Sequence, residues 1–400
     1  MAVKVGGSVP KKTVPVGGGK IVSGGGTNIK KPVAATKNGA RPMLHVLPKA
    51  FKPNSQGAGP GGGYSVQQIR HAYSFDMYGG NGAGQVITII DAYGNPNIQY
   101  DLEQFCIKFG INPTAVKISY PQGQPINSDS GWADETSLDV EWAHAMAPGA
   151  QIWLIVTNPD DPSFALSVDP VGDSLFGGVD YAVQNGARIV SMSWGALENG
   201  NNTPLDAHFN KAGVTFLAST GDSGAGVSYP SVSPYVTAVG GTTLNLDLFG
   251  TVKSESAWAY NATYGWGGGG GLSAFESEPG YQSGFQHTGL RAVPDVAYNA
   301  DPLTGFSVFN SSFGVGWEVL GGTSAGTPQW AALVALASSS KPITNLNLRL
   351  YLMSLYDWPG FFNDVIGGDI NGITAISGYD QATGLGSPRA YAIALLLGAY

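Results

Sequence analysis

The sequence predicts an α/β fold built on a mostly parallel β-sheet flanked by helices on both faces, and three observations carry that prediction. Short β-branched runs recur that are apolar almost throughout instead of alternating with polar residues, as strands covered on both faces do. Stretches with helical spacing lie between several of them, the alternation that builds parallel sheets. The 400 residues, 43% of them hydrophobic, suffice for one large core.

Taken in chain order, residues 1–62 stand apart. Ten of the 20 Lys and Arg lie between Lys4 and Lys52, and the first acidic residue is Asp76. With its Gly and Pro runs this prefix cannot bury enough apolar surface to fold alone, so it is expected to be a disordered basic Gly/Pro/Lys-rich arm. It would lie on the acidic remainder, where 10 basic residues face 28 acidic ones for a net −18, or bind something anionic. The start "MAVKVGGSVPKK" lacks the apolar segment of a secretory signal, so none is visible.

From residue 63 to 400 a single catalytic domain is expected. Gly84–Asp91, Gln151–Val156, Arg188–Ser193, Val214–Ala218 and Tyr235–Val239 read as its strands. Segments around 135 to 146, 175 to 186 and 204 to 212 read as helices, and "YAIALLLGAY" as a packed last helix. In open sheets of this kind chemistry gathers beyond the carboxyl ends of the strands, where Asp91, Trp194 and Asp222 fall.

Composition excludes several classes. The single cysteine, Cys106, rules out an internal disulfide and a cysteine-based zinc site, and its helical surroundings make it a core residue. No apolar run of about 18 residues is present, so no membrane span is expected. The glycine run 267–271 lacks the Lys-Ser/Thr of a phosphate loop and reads instead as a backbone-exposing edge suited to pairing with an extended peptide. Charged residues are only 12% of the chain, a surface that changes little when acid protonates carboxylates.

A candidate nucleophile is Ser324, in "GGTSAGTPQWAAL", where a turn of small residues enters an apolar helical pattern and leaves the hydroxyl at a helix N-terminus. Its base is the question. His144 is the one histidine with a suggestive setting, in "DETSLDVEWAHAMAP". Glu135 and Asp139, four residues apart, share a face of that helix. Nine steps of ~100° put His144 on the opposite side from Glu135. Either the carboxylates serve the serine, or His144 does so without them, paired with Asp91.

Several motifs decide between these. "GGTSAGTP", the Glu135-x-x-x-Asp139 pair and "ASTGDSGAG" around Asp222 resemble the sedolisins, serine-carboxyl peptidases with the subtilisin fold and a glutamate in place of its histidine. The likeness continues through "YSVQQIRHAYSFD", "GLRAVPDVAYNADPLTGF" and "GYDQATGLGSP", over roughly residues 64 to 390. The resemblance implies that Ser324 is the nucleophile, Glu135 its general base and acid, Asp139 the carboxylate orienting Glu135, and Asp222 the oxyanion-hole donor. Asp91 and Trp194 would buttress the carboxylate pair.

The resemblance also implies one structural calcium near the C-terminus, held by the carboxylates of Asp364 and Asp380 and main-chain oxygens of Val365, Ile376 and Gly378, all oxygen donors as calcium prefers. Protein or peptide substrates, no nucleic acid, a monomer and secretion follow as further expectations. Glutamate can accept the serine proton only when ionised and Asp222 can donate only when protonated, which places the activity in acid. The expected function is an acid-acting serine endopeptidase; the alternative is a catalytically silent relative that binds peptides or polymers in the same cleft.

Overall fold

The computed structural model describes residues 39–48, 51–53, 56–165, 167–200, 202–338 and 342–399. Two short strands open it, β1 (Arg41–Pro42) and β2 (His45–Val46), followed by α1 (Val66–Ala72). The central elements are β3 (Val86–Ala92), α2 (Ile98–Phe109), β4 (Lys117–Ser119), α3 (Ser130–Met146), β5 (Gln151–Thr157), α4 (Pro170–Gln184) and β6 (Ile189–Met192). Then come β7 (Trp194–Leu197), β8 (Thr215–Ser219), β9 (Ser228–Tyr229), β10 (Val236–Leu246), β11 (Val252–Ala257), β12 (Gly271–Ser277), β13 (Leu290–Val293) and β14 (Val296–Asn299). The last third holds β15 (Phe306–Asn310), β16 (Gly316–Gly321), α5 (Gly326–Ala337), α6 (Leu346–Phe361) and α7 (Ala390–Gly398).

The main sheet runs β11-β10-β8-β6-β3-β5-β4, with β14 also pairing β10. Every pairing in it is parallel except β10 with β11. Both faces are covered. Along β3, Ile87 and Ile89 enter the core shared with α2, α3, α5 and α7, while Ile90 and Ala92 enter the core under α4. Period-two geometry sends neighbours to opposite faces, so a strand with helices on both sides has no use for polar positions.

The predicted strands and the helices at 135–146 and 175–186 are present, and Cys106 is buried in α2. Two readings need correction. Residues 204–212 form no α-helix, only a 3-10 stretch over Thr203–His208. The expected arm, of which residues 1–38 lie outside the described residues, does not stay apart up to residue 62. There β1 pairs antiparallel with β7 and β2 with β16, and Ala40, Met43 and Leu47 are buried. Their pairing energy comes from backbone and from three apolar side chains, which composition alone does not reveal.

Candidate active site

The sheet brings three loops to one place. From the carboxyl end of β6 comes Ser193, from β8 comes Asp222 through Thr220 and Gly221, and from β16 comes Ser324 through Gly322. Gly322 has φ +124°, open to glycine alone among common residues, and lets the chain turn sharply into the tight Thr323–Ala325 turn that leads into α5. Ser324 therefore stands at the N-terminal end of a twelve-residue helix, fully buried.

Against it lies α3, in which all residues from Trp132 to Met146 are buried. Asp129 caps its start by accepting from the N–H of Trp132 at 3.0 Å. One turn further in, Glu135 receives the hydroxyl of Ser324, with Oγ 3.0 Å from Oε2. The same Oγ is 3.1 Å from the carbonyl oxygen of Ser193, so one proton has two acceptors and an ionised Glu135 wins it by charge. Asp139 accepts from Ser193 Oγ at 2.8 Å and lies within hydrogen-bonding reach of Glu135.

Asp222 points its Oδ1 at Thr323, accepting from the main-chain N–H and from Oγ1, each at 2.8 Å. Its other oxygen, Oδ2, is buried and makes no hydrogen bond among the described residues. His45 approaches that oxygen at 3.6 Å. The glycine run corrects the expectation of an exposed peptide-pairing edge. Residues 267–271 are buried, with Gly267 N–H donating to the carbonyl of Asp222 and Gly269 N–H to that of Gly221. A Cβ on Gly269 would overlap the carbonyl oxygen of Thr220. The missing side chains let one main chain lie directly on another, which fixes the loop carrying Asp222.

The electrostatics are those of acids without water. Burial, then the charges of Asp139 and Asp91, hold the Glu135 carboxyl well above its ordinary value, opposed by the hydrogen bond from Ser324. Burial and the Asp91 charge do the same to Asp139. Burial pushes Asp91 up to about 7, partly offset by the nearby Thr136 hydroxyl. Asp222 is likewise pushed up to about 7 by burial against the pull of Thr323 and Arg41. A group of like charges in a dry site keeps protons that water would remove.

The structure thus brings Ser324, Glu135, Asp139 and Asp222 together, with Asp91 beside the pair at the end of β3. Trp194 sits differently from expectation. Its Nε1 donates to the carbonyl of Ile90 at 2.9 Å, bracing the strand that carries Asp91, while its neighbour Ser193 touches Asp139. Ser193, Thr323 and His45 were not singled out in the sequence. The first stands at the end of the run Arg188–Ser193, beside Trp194, and the second in "GGTSAGTP", next to the residues that drew attention; His45 had no signal at all. His144 is elsewhere, with Nε2 2.9 Å from the carbonyl oxygen of Asn112, which can only accept. It faces away from Ser324, as the helix geometry requires.

Near the C-terminus, the N–H of Gly378 and the hydroxyl of Ser377 donate to Asp364, and the N–H groups of Ile376, Ala382 and Thr383 donate to Asp380. The 376–378 loop is thereby held between the two carboxylates. The carbonyl oxygens of Val365, Ile376 and Gly378 accept no hydrogen bond among the described residues. No three His, Cys, Asp or Glu side chains cluster as a metal site among those residues. Two carboxylates and three carbonyls that accept no hydrogen bond among the described residues are oxygen donors, the type a hard cation takes.

The subtilase family model matches residues 132–354, which take in most of α3, the main-sheet strands other than β3 and β4, and α5. Kumamolisin from Bacillus sp. (strain MN-32) is 34% identical over 397 residues, covering 88% of this chain and 67% of its own length. Sedolisin from Pseudomonas sp. (strain 101) is 27% identical over 383 residues, covering 87% of this chain and 63% of its own. The structure of Pseudomonas sedolisin, a serine-carboxyl proteinase complexed with pseudo-iodotyrostatin, aligns with TM-score 0.69 and 25% identity over 84% of this chain and 98% of that one. The chain belongs to the subtilase family. Within it, the chain is a member of the sedolisins, the serine-carboxyl peptidases. It spans about two thirds of the length of these curated relatives.

Proposed function

We propose that this protein is an acid-acting serine endopeptidase that cuts peptide bonds through an acyl-enzyme on Ser324. The observation that carries the reading is the 3.0 Å hydrogen bond from Ser324 Oγ to Glu135, which shares a face of α3 with Asp139. Glu135, ionised while Asp139 holds the proton the pair retains, takes the hydroxyl proton as Oγ attacks the substrate carbonyl. The protonated Glu135 then gives that proton to the leaving amine. Glu135 activates a water in the same way for the second half-reaction, which frees the acid product and restores the serine.

The developing oxyanion is met by the main-chain N–H of Ser324 and by the free Oδ2 of Asp222, which donates only while protonated. That condition holds below about pH 7. The N-terminus of α5 adds its positive end. The reading adds one structural calcium, with Asp364 and Asp380 as carboxylate ligands and Val365, Ile376 and Gly378 as main-chain ones, supported by the all-oxygen chemistry of these donors. No helix among the described residues is long and apolar enough to cross a membrane.

The test is digestion of an unfolded protein in acid by the protein and by Ser324→Ala. Internal cuts made by the first and absent with the second support the reading. A folded wild-type chain that cuts nothing, but binds the substrate, favours a silent peptide-binding relative.

A further inference from the structure

Four aromatic residues fall within nine positions of the loop between β11 and β12: Trp258, Tyr260, Tyr264 and Trp266. Main-chain bonds fix the two tryptophans. The N–H of Trp258 donates to the carbonyl of Gly241 at 3.0 Å, and its carbonyl accepts from the N–H of Gly268 at 2.9 Å. The carbonyl of Trp266 accepts from the N–H of Asn261 at 2.7 Å. Trp258 is buried, Trp266 is half-buried, and the ring of Tyr264 leans on Trp266 at 5.2 Å.

Both indoles meet one occupant. The ring of His45 stacks on Trp266, centroids 4.4 Å apart and planes 24° from parallel, and meets Trp258 edge-on at 6.2 Å. Its Nε2 lies 3.6 Å from Asp222 Oδ2, the oxygen proposed above to donate to the oxyanion. Burial first, then the Arg41 charge, hold the pKa of this ring down to about 4 against the pull of Asp222. Above that value the slot holds an uncharged ring.

The main chain gives the slot a register. The carbonyl of Met43 accepts from the N–H of Ser324 at 3.1 Å, and the N–H of Met43 donates to the carbonyl of Ser193 at 3.2 Å. His45 and Val46 then pair antiparallel with Gly321 and Leu320 on β16. The N–H of Ser324 is one of the two groups proposed to bind the oxyanion, so a residue whose carbonyl it holds stands just before a cut bond. A peptide substrate laid along the same sheet edges carries its second residue past that bond to the place of His45.

We propose that Trp258 and Trp266 form a substrate subsite that selects an uncharged aromatic ring two residues beyond the cut bond. The inference deepens the peptidase reading above and rests on it. Ring faces and edges give the attraction, since stacked and edge-on aromatic pairs add to what burial alone supplies. The neighbouring acid gives the selection against charge. A cation in the slot also stacks on an indole, but so close to Asp222 it favours the ionised carboxylate, which has no proton to donate to the oxyanion. Its penalty therefore falls on kcat. The charged groups facing the slot are Asp222 and, from the resident segment, Arg41.

The experiment measures kcat and KM of the full-length protein on unstructured peptides identical except for Phe, Trp, Ala or Arg two places after the cut bond, with the cut mapped by mass. Displacing His45 from the slot is a step common to every peptide, so the ratios between peptides report the subsite. The result expected is kcat/KM about tenfold higher for Phe and Trp than for Ala. Arg gives a lower kcat than Phe, with the basic limb of its pH–rate profile at lower pH. Trp266→Ala, its fold checked by thermal melt, loses the preference for Phe while cutting the Ala peptide as before, and Trp266→Phe keeps part of the preference. If Trp266→Ala does not fold, the peptide series on the unaltered protein decides. Equal kcat/KM for Phe and Ala, or a preference that survives in folded Trp266→Ala, overturns the subsite. An Arg peptide with the kcat and pH profile of the Phe peptide overturns the selection against charge. No cut in any peptide by folded protein overturns the peptidase reading beneath it.

Discussion

Glu135 and Asp139 stand one helical turn apart on α3, and each leaves one buried oxygen, Oε1 and Oδ2 respectively, without a hydrogen-bond partner among the described residues. Two ionised carboxylates would leave both oxygens unsatisfied and set like charges against each other without water. A single proton held between the two groups answers both difficulties, and pairs of this kind titrate as a unit. Ser193 and Ser324 donate to the two remaining oxygens, so the pair has one arrangement in which every site is met.

Replacing Asp139 by Asn is therefore expected to preserve the packing and lower kcat by about 10²-fold, because a neutral amide cannot hold the shared proton. The amide can still donate to Glu135, which favours the ionised form. The acid limb of the pH–rate profile should shift to lower pH, measurable with any chromogenic peptide that the protein cuts.

Asp222 gives a prediction on the opposite limb. Its carboxyl is pushed up to about 7, so the oxyanion donor is lost as pH rises through that value. Asp222→Asn keeps the acceptor for Thr323 and places a donor that does not titrate where Oδ2 stood. The basic limb should move upward in this variant, while Asp222→Ala should lose on the order of 10²-fold at the optimum.

Stability should follow the same groups. Asp91 and Asp222 hold a proton to about pH 7 when folded and release it near pH 4 when unfolded. Between those values the native state binds more protons than the unfolded one, so stability falls as pH rises, by ~1.4 kcal/mol per pH unit for each such group. Denaturant melts should show the protein firmer at pH 4.5 than at pH 7, with the slope extending over ~2–3 pH units, and Asp91→Asn should flatten the dependence.

The glycine run makes a steric prediction. Gly269→Ala puts a methyl against the carbonyl oxygen of Thr220 with no flexible side chain to yield. A loss of about 1–3 kcal/mol is expected from such overpacking, accompanied by lower kcat as the loop carrying Asp222 is displaced. Unchanged melting and kinetics would show that the run tolerates a side chain.

For the proposed cation, a chelator should lower Tm without altering the pH–rate profile of the surviving fold. Asp380→Asn should lower Tm and remove the chelator's effect, since one of two charged ligands is gone.

What could be read from the sequence divides along physical lines. The buried strands announced themselves because a sheet covered on both faces forces continuous apolar runs such as "QVITII", and the helix face of Glu135 and Asp139 followed from the 3.6-residue repeat. Ser324 was visible because glycine and small residues are needed to turn from β16 into α5. Segment 40–47 was not legible: its hold on the cleft is made by main-chain pairing, which leaves no side-chain period. Ser193 and Thr323 were missed because a hydroxyl that donates to a buried carboxylate looks, in sequence, like any other. The glycine run misled because the same residue type serves a mobile edge and a close main-chain contact.

The proposed mechanism has a carboxylate and not a histidine activating Ser324. It is tested most directly by the pH–rate profile, from about pH 3 to about pH 8, of Glu135→Gln beside the unaltered protein and His144→Gln. Activity should be confined to acid, abolished in Glu135→Gln at every pH and kept in His144→Gln wherever that variant folds. Activity that survives Glu135→Gln and peaks near neutrality would contradict it.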